Sequence, residues 1–151
     1  MGFVGFHTDF QSVTIKTIYS IGFPGCFGRF SFWHKGVVVS FRASTFFEAN
    51  STDLNAKGIE ELTRFSKLIF LLPNRIQIEG HTNDSEPKNW SSNWELSGAR
   101  AAKVARFFVD NGMDPTKIIA KGFGSTRPKF SNDSPTKRKL NNRVEVIVLG
   151  E

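Results

Sequence analysis

The sequence contains little of what would fix a disulfide-bonded or membrane-spanning structure. Cysteine occurs once, as Cys26, so an internal disulfide and a cysteine zinc site are excluded. We expect Cys26 to be a small buried hydrophobic residue. No stretch approaches the roughly 18 consecutive apolar residues of a membrane span, and the start of the chain does not read as a signal peptide. An exported protein would therefore need its signal or membrane anchor outside these 151 residues.

The overall composition is that of one ordinary globular domain. The chain has 151 residues, of which 39% are hydrophobic and 23% charged, and this excludes wholesale disorder and a membrane bundle. Phenylalanine is unusually frequent, with 16 copies. Lys and Arg outnumber Asp and Glu by 20 to 14, which gives a net charge of +6. That charge favours an anionic partner, such as nucleic acid, anionic lipid or a cell-wall polymer.

The chain divides into an N-terminal extension and one regular domain. Residues 1–35 scatter aromatic residues among glycines, and we interpret them as an extension that adds strands, one of them at residues 12–19, or a dimer surface. Residues 36–151 form the domain. Its predicted strands contain β-branched residues or alternate apolar with polar ones. They lie at residues 37–41, 75–79 (half-buried and ending at Gly80), 118–123 and 144–148.

Two helices separate the first three of these strands. Apolar residues three and four positions apart predict the first helix, which ends at Pro73: Ile59, Leu62, Phe65, Ile69 and Leu72. The second follows a Ser92/Glu95 capping box, runs about 18 residues and stops at Asn111-Gly112. The basic stretch between the last two strands is interpreted as a loop. The order βαβαββ predicts an α/β (α+β) sandwich, with two main helices on one face of a small mixed sheet.

On the second helix, Arg100 lies at the edge of the predicted buried stripe. At 100° per residue, Ser97, Ala101, Val104 and Phe108 share the buried stripe. Arg100 lies about 40° from Val104, and Asn93 lies about 20° from Arg100 around the axis. Such a guanidinium is suited to bidentate recognition of a carboxylate. The same position also suits an arginine whose stem covers apolar surface while its head pairs with a local glutamate. Spacing alone leaves both interpretations open.

A polar loop meets the beginning of this helix. The strand that ends near Gly80 delivers His81, Thr82, Asn83 and Asp84 to the rim where the helix begins, and the free amides of a helix N-terminus attract anions. The three histidines, His7, His34 and His81, show no metal-ligand spacing. We therefore predict no metal site and expect His81 to be a structural hydrogen-bonding residue.

Several motifs in this order carry a family resemblance. They are Gly80-His81-Thr82, then Asn93, Leu96-Ser97, Arg100-Ala101 and Val104, then Gly122-Phe123-Gly124 with Pro128, and finally Asn141 and Arg143-Val144-Glu145. Together they resemble the OmpA-like peptidoglycan-binding domain over roughly residues 37–149. The run at residues 92–97 is most similar to flagellar motor stator B subunits of the MotB and PomB type.

The resemblance implies a binding site with a two-sided clamp. In this family an Asp after the strand-end Thr and the Arg of the helix motif hold the diaminopimelate of the cell-wall stem peptide. Arg100 is retained, whereas Asn83 occupies the Asp position and Asp84 is a candidate replacement. Asn142 occupies the first Arg position of the closing motif and leaves Arg143. The implied peptidoglycan-binding residues are Thr82, Asn83, Asp84, Asn93, Leu96, Arg100 and Arg143.

The resemblance also implies a non-catalytic module without a cofactor or metal, which anchors a motor stator to the cell wall in the periplasm. The parent protein would be anchored in the inner membrane, form a homodimer and meet the stator A subunit only through a membrane segment absent from this chain. One alternative is a Pal-type outer-membrane anchor. Another is a wall-acting enzyme that uses His81 with Glu79 or Asp84.

A nucleic-acid-binding domain is a further alternative, suggested by basic residues near the C-terminus. They are Lys121, Arg127, Lys129, Lys137, Arg138, Lys139 and Arg143. No nucleic-acid motif accompanies them, so we expect a solvated basic loop and no nucleic-acid partner.

Overall fold

The computed structural model describes residues 31–33 and 36–150, with side chains from residue 36, and its centre is a five-stranded mixed sheet. The strands are β1 (Ser31–Trp33), β2 (Gly36–Arg42), β3 (Ile76–His81), β4 (Ile118–Gly122) and β5 (Arg143–Leu149). Their order across the sheet is β1-β2-β5-β3-β4. β3 and β4 run parallel, and the other neighbours run antiparallel. The additional strand predicted at residues 12–19 and Cys26 lie outside the described residues.

The described residues also form four α-helices, α1 (Ala43–Phe46), α2 (Ala56–Ile69), α3 (Asn93–Asp110) and α4 (Pro135–Asn141), and one 3-10 helix at Pro115–Lys117. Asn55 is the N-cap of α2, and its side chain accepts a 2.7 Å hydrogen bond from the Gly58 N–H. Ser92 is the N-cap of α3: its hydroxyl accepts from the Trp94 N–H at 3.1 Å and also donates to the Glu95 carboxylate. α3 ends where predicted, because Gly112 takes the left-handed φ of 105°.

The apolar core lies between one sheet face and the two long helices. Alternate residues of β2, β3 and β5 pack against α2 and α3 in a single cluster that includes Phe65, Phe108, Ile78, Val104 and Val146. This arrangement confirms the predicted α/β sandwich and its βαβαββ order. No helix in the described ranges is both long enough and apolar enough to cross a membrane.

Glycines let α3 lie directly on the ends of β3 and β4. A Cβ at Gly80 would stand 2.0 Å from the Ser97 carbonyl oxygen, and one at Gly122 would stand 2.5 Å from the Gly98 nitrogen. Real Cβ atoms do not approach other atoms so closely, so both positions require glycine. The close packing brings the start of α3 beside the loop that follows β3.

Five details differ from the sequence predictions. α2 ends at Ile69, so Leu72 lies beyond it and the helix does not run to Pro73. Ile59 is 46% exposed and does not belong to the core. Phe123 lies beyond the end of β4. β3 continues through His81 and is buried on both faces rather than half-buried, because the chain after β4 covers its polar face. The basic stretch contains α4, whose signals were a Ser134 N-cap and Pro135 in the first turn.

Candidate functional site

An open groove of about 270 Å³ lies beside the first half of α3. Its other walls come from the loop after β3, the segment around α1 and the chain at the end of α4. Four of the residues expected from the sequence line it together: Asn83, Asn93, Leu96 and Arg100. The groove is therefore built around the helix motif that the sequence identified.

Arg100 is the only buried cation among the groove residues, with 7% of its surface exposed. Its Nε–H donates to the Ser51 carbonyl oxygen at 3.1 Å, and its guanidinium carbon lies 5.2 Å from the centre of the Phe47 ring. Burial lowers the pKa of Arg100 from its usual value, although an arginine stays charged in proteins. No described carboxylate forms an ion pair with it. The structure thus excludes pairing with a local glutamate and leaves the guanidinium edge available to an anion.

Asn93 fixes the loop after β3 to the start of α3. Its Nδ2 donates to the Ser85 carbonyl oxygen at 2.9 Å and to the Asn83 carbonyl oxygen at 3.3 Å. The Asn83 side-chain oxygen accepts from the Ser85 N–H at 3.0 Å, which closes a local turn. The Asn83 N–H donates to the Asn142 side-chain oxygen at 2.8 Å. The two positions at which this chain departs from the family pattern, Asn83 and Asn142, are therefore in direct contact.

Three other residues expected at the site do not line the groove. Asp84 forms an ion pair with Arg138, with 3.0 Å between Oδ1 and Nε. Thr82 is 1% exposed, and its N–H donates to the Gly124 carbonyl oxygen at 2.9 Å. Arg143 is 4% exposed and pairs with Glu145 at 2.7 Å. Thr82 and Arg143 therefore support the loop and sheet beside the groove.

Three charged groove residues were not anticipated from the sequence: Glu48, Glu86 and Lys139. They lie on irregular segments and on a short helix, where periodicity gives no direction for a side chain. Charged residues in polar loops are common, so composition did not mark the two glutamates, and Lys139 stood out only as part of the basic stretch. They can be recognised only once the long-range contacts have closed the groove walls.

A second polar cluster lies on the sheet face opposite the apolar core. Glu79, His81 and Glu145 offer three ligand atoms within 4.8 Å of one another, which is a geometry that a metal ion could use. However, Lys129 Nζ and Arg143 Nε already lie 2.6 Å and 2.7 Å from the Glu145 carboxylate. Two bound cations leave little charge for a metal, so the cluster is better explained as a buried ion-pair network.

This network also bears on the enzyme alternative. The His81 ring stacks on Phe123 with 5.4 Å between ring centres, and Glu79 and His81 are 7% and 2% exposed. Neither side chain lines the groove. Acid–base groups must reach a substrate, and these two are covered by protein.

Four of the seven basic residues named near the C-terminus form ion pairs within the protein. Lys129 and Arg143 pair with Glu145, Lys137 pairs with Asp133, and Arg138 pairs with Asp84. A nucleic-acid-binding surface needs cations that are free to meet phosphates. This pairing favours the expected solvated loop over a nucleic-acid interface.

Comparison with known proteins identifies relatives of this architecture. Residues 46–142 match the family model described as the OmpA family. Motility protein B of Helicobacter pylori strain J99 is 36% identical over 119 residues, covering 75% of this chain and 46% of that protein. The structure of a putative MotB-like protein from Desulfovibrio vulgaris has a TM-score of 0.86 at 26% identity and covers 95% of this chain and 93% of the other.

The periplasmic domain of Helicobacter pylori MotB is also similar, with a TM-score of 0.79 at 27% identity and 86% of each chain covered. This chain spans about half the length of the curated relatives it matches, between 46% and 48% for the first three.

Proposed function

The chain belongs to the OmpA family, and from that membership we propose that its groove binds the peptidoglycan stem peptide and so attaches a larger protein to the cell wall. Domains of this family are not enzymes, and neither is this chain. The proposed ligand is a stem peptide that contains diaminopimelate, whose side chain ends in a carboxylate as well as an ammonium group. We propose the periplasm as the location.

The observation that carries this proposal is the state of Arg100. The guanidinium is buried at the wall of an open groove, held by Ser51 and Phe47, and without a carboxylate partner among the described residues. A buried cation without a partner is costly unless an anion arrives, and two parallel N–H groups fit a carboxylate. An incoming diaminopimelate carboxylate would meet that requirement.

The similarity to motility protein B favours a motor stator as the parent protein over a Pal-type outer-membrane anchor. In this proposal the parent protein is anchored in the inner membrane and is a homodimer. It meets a stator A subunit only through a membrane segment, and no helix of the described residues is such a segment.

Replacing the guanidinium tests the proposed function. We expect Arg100→Ala to weaken co-sedimentation with diaminopimelate-containing peptidoglycan at least about 30-fold, because truncating one side of a buried charge pair costs roughly 2 kcal/mol or more. Arg106→Ala is the matched control: Arg106 lies on the same helix, is exposed and pairs only with Asp110. Circular dichroism checks that both variants are folded.

Two further conditions separate groove binding from attraction by net charge. Peptidoglycan with lysine in place of diaminopimelate lacks the carboxylate and should bind the wild type far less. Binding through a buried site should persist from 0.05 to 0.5 M salt, where surface attraction is screened. The proposal fails if folded Arg100→Ala binds like the wild type.

A further inference from the structure

Among the described residues, four ionisable side chains line the groove, two of them cationic and two anionic. Arg100 and Lys139 are cationic, and Glu48 and Glu86 are anionic. None of the four forms an ion pair with another described residue. Unpaired charges also occur elsewhere on the surface, but here charges of both signs lie in one groove beside the buried Arg100, and this arrangement suits a ligand with both signs.

Asn83 is a poor partner for an ammonium group, because its side chain carries no charge. Its side-chain oxygen also already accepts a hydrogen bond from the Ser85 N–H at 3.0 Å, which leaves one lone pair for a ligand. Asp84, the next residue, is held by Arg138 and lies outside the groove.

Glu86 is the next acid along the same loop, and it lines the groove. The preceding residue, Ser85, is held to α3, because its carbonyl oxygen accepts a 2.9 Å hydrogen bond from the Asn93 side-chain amide. Pro87 follows immediately and limits the backbone freedom of the position. The Glu86 carboxylate is therefore carried by a segment that is anchored to the same helix as Arg100.

We propose that Glu86 binds the ammonium group of the zwitterionic ligand whose carboxylate is bound by Arg100. This inference rests on the proposed function and adds to it the residue that selects for a free amine. The loss of an acid at Asn83 is then compensated three residues later on the same loop. Glu86 is exposed, so its contribution is that of a partly solvated ion pair.

The test compares native peptidoglycan with the same material after acetylation of its free amines, which removes the ammonium charge. We expect the wild type to bind the acetylated form about three- to fivefold more weakly, in line with an exposed ion pair. Glu86→Gln should bind native material as weakly as the wild type binds acetylated material, and should lose nothing more on acetylation.

Glu48→Gln tests the other exposed acid of the groove. Glu60→Gln is the control, because Glu60 lies outside the groove and pairs with Arg64 on α2. Both variants should keep the wild-type ratio between native and acetylated peptidoglycan. If Glu86→Gln keeps that ratio, or if only Glu48→Gln loses it, the assignment to Glu86 is wrong while carboxylate binding by Arg100 still stands. If the wild type binds neither form, the proposed function fails together with this inference.

Discussion

Glu145 lies beneath the chain that follows β4 and is 6% exposed. Burial raises the pKa of its carboxyl group, but hydrogen bonds from Arg143 and Lys129 outweigh that effect and hold the pKa below its ordinary value of 4.5. Burial likewise raises the pKa of Glu79, and its bonds to His81 and Gln77 bring it below 4.5. The folded protein therefore stabilises the ionised form of both carboxyl groups.

These depressed pKa values predict acid sensitivity. A carboxyl group with a lower pKa in the folded state stabilises the fold fully above its unfolded value, and the contribution is lost as pH falls through the folded value. We expect the free energy of unfolding to fall below pH 4.5. Glu145→Gln should lower the free energy of unfolding by roughly 3 kcal/mol at pH 7, as expected for breaking a buried ion pair. The stability of this variant should also decrease less steeply than that of the wild type as the pH falls.

Urea denaturation at a series of pH values measures both effects. Glu60→Gln is the control, since Glu60 is exposed and pairs only with Arg64 one turn away. It should change stability by less than about 0.5 kcal/mol. If the free energy of unfolding of Glu145→Gln falls with decreasing pH as steeply as that of the wild type, the role given to this carboxylate is contradicted.

Among individual residues, the sequence predicted the groove side chains that lie on a helix, because helical periodicity gives their direction. Arg100 and Asn93 share one edge of α3, and both line the groove. Glu48, Glu86 and Lys139 could not be located, because their positions depend on contacts between distant parts of the chain. One such contact is the bond between Asn83 and Asn142, which are 59 residues apart.

Among the elements, α3 has the tightest contact with the sheet. Its Ser97 and Gly98 backbone passes over Gly80 and Gly122, leaving no room for a side chain between helix and strands. The Ser97 hydroxyl also accepts from the Gly124 N–H at 2.9 Å, which joins the helix to the chain after β4. The position of Arg100 over the groove depends on this packing.

A methyl group at Gly80 should disturb that packing. We expect Gly80→Ala to lower the free energy of unfolding by about 1–3 kcal/mol or more, because its Cβ would meet backbone rather than a flexible side chain. Gly98→Ala is the matched control on the helix itself, where an added Cβ meets nothing within 4 Å. It should raise stability by up to about 1 kcal/mol through helix propensity. Thermal unfolding measures both, and equal stability of Gly80→Ala and the wild type would contradict the account.

Elements with strong periodicity or explicit caps were predictable. The limits of α3 follow from Ser92 and Gly112, and β5 follows from alternate valines. Burial of the second face of β3 was not predictable, because Glu79 and His81 read as solvent-facing residues until a distant segment covers them. α4 is short and lacks an apolar stripe, so the Ser134 cap and Pro135 in the first turn were its only signals.

The molecule as a whole carries a net charge of +6, so two copies repel each other at long range. The proposed homodimer must overcome this repulsion, and added salt should strengthen it by screening. We expect light scattering of the 151-residue chain at about 100 µM to give twice the chain mass, with the dimer fraction rising from 0.05 to 0.3 M salt. A monomer mass throughout this range would exclude the dimer for this chain.

The strand order β1-β2-β5-β3-β4 has a consequence for how the molecule is made. β5 lies between β2 and β3, yet it is the last of the five strands to leave the ribosome. Until residues 143–149 emerge, β2 and β3 have no shared neighbour and their facing edges stay unpaired. The sheet therefore cannot close before β5 is made, and until then the growing domain presents unpaired strand edges that chaperones can bind.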